Sequence, residues 1–184
     1  RVLLPVKQVP EGTREGDTLD VFIYKDSRDR LIATTREPLL QVGQTAVLKV
    51  LQVTKIGAFL DWGLEKDLLL PYHEQTSRVR EGQECLVALY VDKSSRLCAT
   101  MKVYHYLSTR TPYVTGDSVK GRVYEISDRF GVFVAVDDKY SALTPTPEKP
   151  AANTARAKSS TSRFRGERGW QDERHRPSES LHPD

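Results

Sequence analysis

Cysteine is almost missing from this chain. Cys85 and Cys98 are the only two in 184 residues, each lies in an apolar run, and they form no Cys-x-x-Cys pair. That speaks against a disulfide framework or a zinc knuckle and predicts two small buried hydrophobes in a reducing compartment. Histidine is sparse too. His73, His105, His175 and His182 are scattered without metal-ligand spacing, so neither a metal nor another cofactor is expected. No nucleophile–base pair and no phosphate-cradling glycine loop can be found, which argues against an enzyme. No apolar run reaches membrane-spanning length and no signal peptide is visible, so the expected setting is the cytoplasm, away from membranes. An excess of one charge is lacking as well: 28 basic against 25 acidic residues leave +3. Composition therefore does not require a polyanionic partner, and only a local basic face could argue for nucleic acid.

What the chain does contain is a repeat of itself. Residues 3–34 shifted by 66 align without gaps on 69–100 with 13 identities in 32 positions. LLP, REG, Val21/Val87, Tyr24/Tyr90, Asp26/Asp92, Arg30-Leu31/Arg96-Leu97 and Ala33-Thr34/Ala99-Thr100 all coincide. A second match runs forward, from VGQTAVLKVLQVTKIGAFLDW at 42–62 to TGDSVKGRVYEISDRFGVFVAV at 115–136. With one inserted residue near Asp128, it pairs Gly57 with Gly131, Phe59 with Phe133 and Pro71 with Pro145. The expected organisation is a back half of one unit over 1–40, a whole unit over 41–103, and a linker plus a front half over 104–147. The chain opens at Arg1 rather than methionine, which fits a fragment.

The whole unit reads as five strands: TAVLKVLQVT, GAFLDW, KDLLLP, CLVALYVD and RLCATMKV, separated by turn residues. Five short strands in a unit of this size match a small closed barrel of the OB type. The expected fold is therefore all-β: tandem five-stranded OB-fold barrels, one complete and two partial. Alternation in GAFLDW sends Ala58, Leu60 and Trp62 to the core and leaves Phe59 on the side of Asp61. A phenylalanine on the polar face needs a purpose. The connection KVYHYLSTRTPYVTGD at 102–117 is expected to pack its tyrosines against barrel ends. Each end of the chain lacks half a barrel, so these open ends are expected to pair with each other or between chains.

From Thr144 onward the composition shifts. Residues 148–184 hold eight Lys or Arg and six Asp or Glu. After Ala157 there is one leucine and neither valine nor isoleucine. Such a segment cannot bury enough apolar surface to offset its ordering entropy, so disorder is expected over 148–184. RFRGERGW invites comparison with Arg/Gly RNA-binding tails. The repeat predicts a final hairpin after Pro145 that the tail does not supply, as a frameshift or a mispredicted end would produce; an alternative reading frame restoring that hairpin is the test.

GAF-L-D-x-GLE-x-x-LLLP followed by VD-x-x-x-RL resembles the S1-type RNA-binding motif, an OB-fold barrel. The runs LIATTR, GAFLDWGLEKDLLLP and LCATMKVYHYL, in their order, are similar to the conserved virulence factor B family of bacteria, and the resemblance covers about residues 2–145. It implies tandem S1-type barrels, truncated here at both ends and without the family's winged helix. It also implies a regulator that binds single-stranded RNA. The binding positions it carries over are Phe59, Asp92 and Arg96 in the whole unit, Asp26 and Arg30 in the first, and Phe130 and Phe133 in the third. Ile56 stands where a companion aromatic is expected, and Pro71 and Pro145 replace a histidine. Lys55, His73, Arg78 and Lys102 lie near enough in sequence to track a phosphate backbone. Tyr24 and Tyr90 read as structural and Trp62 as core. Asp92–Arg96 also fits an ordinary hairpin ion pair, and Phe59 also fits packing between barrels. The competing function is a protein–protein scaffold, because OB-type barrels bind proteins too.

Overall fold

The computed structural model describes residues 1–145 and the backbone of residues 160–163. Its strands are β1 (Phe22–Lys25), β2 (Leu31–Thr34), β3 (Thr45–Val53), β4 (Gly57–Asp61), β5 (Leu68–Pro71), β6 (Glu84–Val91), β7 (Leu97–Thr100), β8 (Ser118–Ser127), β9 (Gly131–Val136), β10 (Tyr140–Thr144) and β11 (Ser160–Arg163). Single 3-10 turns at Val6–Gln8, Tyr72–Glu74 and Tyr104–Tyr106 are the only helical elements among the described residues. The first two are 66 residues apart, so the repeat extends to its turns. The fold is all-β, and none of these helical turns is long or apolar enough to cross a membrane.

Strands β3 to β7 build the central barrel, with sheet order β5-β4-β3-β6-β7 and every pairing antiparallel. The sheet nearly closes on itself. The amide of Met101 donates to the Glu74 carbonyl at 2.9 Å, and the Thr100 hydroxyl donates to Glu74 Oε2 at 2.6 Å. Alternation decides what goes inside: Leu48, Val50, Ala58, Leu60, Trp62, Leu68, Leu70, Val87, Leu89 and Ala99 are buried together. Each such leucine contributes roughly 1.5–3 kcal/mol by leaving water. A bulge between Val50 and Gln52 bends β3 over the barrel, and a bulge between Val123 and Glu125 recurs at the matching place in β8.

Gly57 explains how β4 and β5 come so close. Its φ is +150°, and a Cβ placed on it would stand 2.3 Å from the Leu70 carbonyl oxygen. Gly131, its counterpart, has φ +112° and would put a Cβ 2.6 Å from the Thr144 carbonyl oxygen. Both positions need a residue without a side chain.

The first unit contributes the two-stranded sheet β1–β2, which leans on the central barrel. The rings of Phe22 and Tyr24 meet Trp62 edge-on at 5.8 and 6.5 Å. The third unit is the sheet β10-β9-β8-β11. Its outward face is closed over by a second apolar cluster containing Leu86 and Ala88 from β6, Val103 and Leu107 from the connection, and Tyr124, Phe133 and Ala135. Tyr104 packs on Phe133 at 5.9 Å, so the connection is an ordered strap between units.

One expectation is corrected. The open ends do not pair with each other within the chain: β1–β2 forms its own sheet, and β8 pairs instead with β11. β11 takes the place on β8 that β6 takes on β3, satisfying backbone groups a bare edge would expose. Of the tail expected to be disordered over 148–184, residues 160–163 are described, as the strand on β8, while 148–159 and 164–184, including most of RFRGERGW, lie outside the described residues.

Candidate nucleic-acid interface

Where β1–β2 leans on the barrel, a groove of about 190 Å³ remains. Its walls include Tyr24 and Lys25 from β1, Phe59 from β4, Lys66, Asp67 and Leu69 around β5, and Arg96 before β7. Phe59 is half-buried and stands cross-strand from Leu69 on the outward face of the sheet. Ile56 also lines the groove and is 60% exposed. Phe59, Ile56 and Arg96 thus line one groove, with Ile56 where the motif has an aromatic. The ring offers a stacking platform that accepts any base, and the guanidinium offers a phosphate or base contact.

The two hairpin turns are near copies. The Asp26 carboxylate accepts from the amides of Arg28 and Arg30 at 2.8 and 2.9 Å, and Asp92 accepts from those of Ser94 and Arg96 at 2.8 and 2.9 Å. Asp29 and Ser95 hold the same left-handed conformation, φ 60° and 59°. Both aspartates are therefore engaged as caps of their own turns. The arginines differ. Arg30 returns to Asp26 at 2.7 Å, whereas Arg96 reaches across the units to Asp29 at 2.7 Å. The alternative of an ordinary Asp92–Arg96 ion pair is thus not realised; Asp92 holds the Arg96 amide instead. The turn points the Arg96 guanidinium toward the first unit, where Asp29 carries a carboxylate and its repeat partner Ser95 does not. Three backbone and side-chain donors hold the Asp26 carboxyl down at about 2, with the Arg30 amide foremost. Arg96 lowers Asp29 chiefly by hydrogen bonding, and Asp29 raises Arg96 in return.

Other expected positions lie elsewhere. Phe133 is 3% exposed, its ring among Tyr104, Tyr124 and Phe130, so it does not present a face to solvent. The packing between barrels that competed for Phe59 is realised at Phe133, because the third unit turns this face onto β6 and the strap. Phe130 is half-buried beside it, with the Arg129 guanidinium 5.0 Å over its ring. Lys55 is exposed next to the groove residue Ile56. His73 is exposed outside the groove, 3.6 Å from Glu74. Pro71, in the histidine position, is buried against Gly57.

Sequence reasoning did not single out Lys25, Lys66 and Asp67, and it assigned Tyr24 to structure alone. Lys25 Nζ donates to the Ser94 carbonyl and Lys66 Nζ to the Lys25 carbonyl, both at 3.0 Å. They fasten the first unit to the second while lining the groove. The available signal was the repeat itself: Asp29 faces Ser95 in the alignment, an acid at one of the three turn positions where the copies diverge.

A nearly closed five-stranded barrel with an outward aromatic and a hairpin arginine defines an S1-type OB barrel. The S1 domain family matches residues 1–36 and 42–102, more than half of the chain, and the chain belongs to that family. It is similar to the uncharacterized protein YitL of Bacillus subtilis (strain 168), 28% identical over 148 residues, covering 74% of this chain and 49% of the relative. It is also similar to conserved virulence factor B of Staphylococcus aureus (strain N315), 25% identical over 145 residues, covering 74% and 48%. The resemblance drawn from the sequence is thus met. Among solved structures, a multidomain protein with nucleic acid binding domains from Streptococcus pneumoniae superposes with a TM-score of 0.51 at 22% identity, over 74% of this chain and 50% of that one, a likeness of fold. The chain spans about half the length of the curated relatives it matches.

Proposed function

We propose that this chain is a non-catalytic bacterial RNA-binding protein that holds single-stranded RNA on the outward face of its central barrel and acts in the cytoplasm as a post-transcriptional or virulence-gene regulator. The observation that carries the reading is the half-exposed Phe59 ring set in one groove with Lys25, Lys66 and Arg96 on an S1-type barrel. A base stacks on the ring for ~1–3 kcal/mol without regard to sequence, and the cations meet the flanking phosphates. Asp29 competes for Arg96, so the site is weaker than its residue list suggests and gains from neighbouring nucleotides.

The test is fluorescence anisotropy of labelled single-stranded RNA across salt concentrations. Affinity falls as salt rises, and Phe59→Ala loses roughly 5- to 150-fold, the stacking energy expressed in Kd. Salt-independent binding, or full affinity in the variant, would reject the reading. One observation favours a second role in docking proteins. The first unit leaves Leu3, Val6, Ile23 and Leu31 at 64, 90, 48 and 49% exposure, an apolar surface suited to a protein partner. No RNA binding at low salt, with a partner protein protecting these side chains, would favour it.

A further inference from the structure

We propose that the groove between the first and second units takes a single guanine of the bound strand, and that Asp67 reads that base by accepting both donors of its Watson–Crick edge. The inference rests on the RNA-binding reading and adds base preference to it.

The groove is built from two units. Tyr24 and Lys25 come from the first; Phe59, Lys66, Asp67, Leu69 and Arg96 come from the second. At about 190 Å³ it is smaller than the roughly 300–1,000 Å³ of sites for drug-sized ligands, a size for one ring system rather than a stack. Aromatic walls stack on any base, so discrimination has to come from a polar group on the rim.

Asp67 is the charged group left over. Lys25 and Lys66 are tied to the Ser94 and Lys25 carbonyls, and Arg96 to Asp29. Asp67 has no hydrogen bond or ion pair to any described residue, although three cations line the same groove. Continuing the β4–β5 register one step beyond Leu60 and Leu68 sets Asp67 opposite Asp61. Like charges directly opposite destabilise a sheet, so strand pairing does not explain this acid. Asp61 caps the Gly63 amide at 3.0 Å and is accounted for. Desolvation first, and Asp61 second, push the Asp67 carboxyl above the usual aspartate range.

A carboxylate accepts through two oxygens and donates nothing. Guanine carries N1–H and N2–H side by side, one for each oxygen, as charge-assisted bonds. Adenine and cytosine each set a ring-nitrogen acceptor beside their amino group, and uracil flanks its N3–H with two carbonyls. Those acceptors face a negative charge in Asp67. Guanine alone fills the carboxylate without a repelled atom.

Anisotropy on the full chain compares an oligouridine with the same oligomer carrying one central guanine. The expected result is a preference for the guanine oligomer on the order of tenfold, the discrimination of a good bidentate pair. Asp67→Asn, which replaces one acceptor with a donor, removes the preference. Because Asp67 is exposed, thermal melting of the variant stays at the wild-type value. The wild-type preference also fades on acidification, from a higher pH than an ordinary aspartate would dictate, since protonation removes an acceptor. Equal affinity for both oligomers, or an undiminished preference in Asp67→Asn, overturns the guanine assignment while RNA binding stands. Wild type binding neither oligomer at low salt overturns the RNA reading, and the assignment with it.

Discussion

Replacing Gly57 by alanine tests the geometry on which the groove depends. A methyl group there would stand 2.3 Å from the Leu70 carbonyl oxygen and 3.0 Å from both the Leu70 carbonyl carbon and the Pro71 Cα. All three are backbone atoms of β5 and cannot rotate aside. The φ of +150° adds a conformational cost of about 1–3 kcal/mol for a residue with a side chain. Forcing an extra carbon into a packed site adds about 1–3 kcal/mol more. Together that is roughly 2–6 kcal/mol, against a total stability of about 5–15 kcal/mol for a typical domain. At about 4–8 °C per kcal/mol, the melting temperature of the barrel falls by roughly 10–50 °C. Gly82→Ala is the matched control. Gly82 also has a positive φ, +79°, but nothing lies within 4 Å of its added Cβ, so it loses only about 1–2 kcal/mol from the left-handed backbone. Thermal unfolding followed by far-ultraviolet circular dichroism compares the two. If Gly57→Ala melts no lower than Gly82→Ala, the close approach of β4 to β5 is not what selects glycine, and the account of the barrel's front wall fails.

Two further outcomes follow from named contacts. Phe133→Ala removes the centre of the second cluster and destabilises the protein by about 3–5 kcal/mol, while RNA affinity at temperatures where the chain stays folded is unchanged; an RNA-binding loss with normal melting would restore Phe133 to the binding face. Asp26 has its folded carboxyl lowered to about 2, so its cap stabilises the first hairpin above the ordinary aspartate value of 3.8 and that contribution fades as pH falls toward 2. An NMR titration of the Asp26 carboxyl carbon reads it, and a midpoint at the ordinary value would remove the capping role.

Much of the barrel was legible because period-two alternation reports a face directly. Ala58, Leu60 and Trp62 went inside and Phe59 outside, and the repeat located the turns at Asp26 and Asp92. Alternation says which face a residue takes but not what later covers that face. Phe59 and Phe133 carry the same local pattern, yet the strap and β6 close over only one of them. The Asp29–Arg96 pair spans 67 residues and follows from how two units lean together, which no local pattern encodes. Asp67 was passed over because an acid at the start of the short strand KDLLLP reads as a turn or surface position. It gains meaning only once its cation neighbours are seen to be engaged elsewhere. The pairing of 160–163 on β8 rests on backbone hydrogen bonding, which leaves little trace in a sequence as polar as STSR.

The divergence of the two hairpin turns also sets how the units are joined. Between the first and second units, Lys7 meets Glu65 at 3.0 Å and Asp29 meets Arg96 at 2.7 Å, all with substantial exposure. Between the second and third, the strap and β6 bury apolar side chains against Tyr124 and Phe133. Ser95 stands where Asp29 stands one unit earlier, so the electrostatic grip is not handed on along the array. The two joints therefore differ in their response to salt. Added salt screens the ionic part of the first joint while the Phe22 and Tyr24 contacts with Trp62 remain, and cooling weakens the apolar packing at both joints.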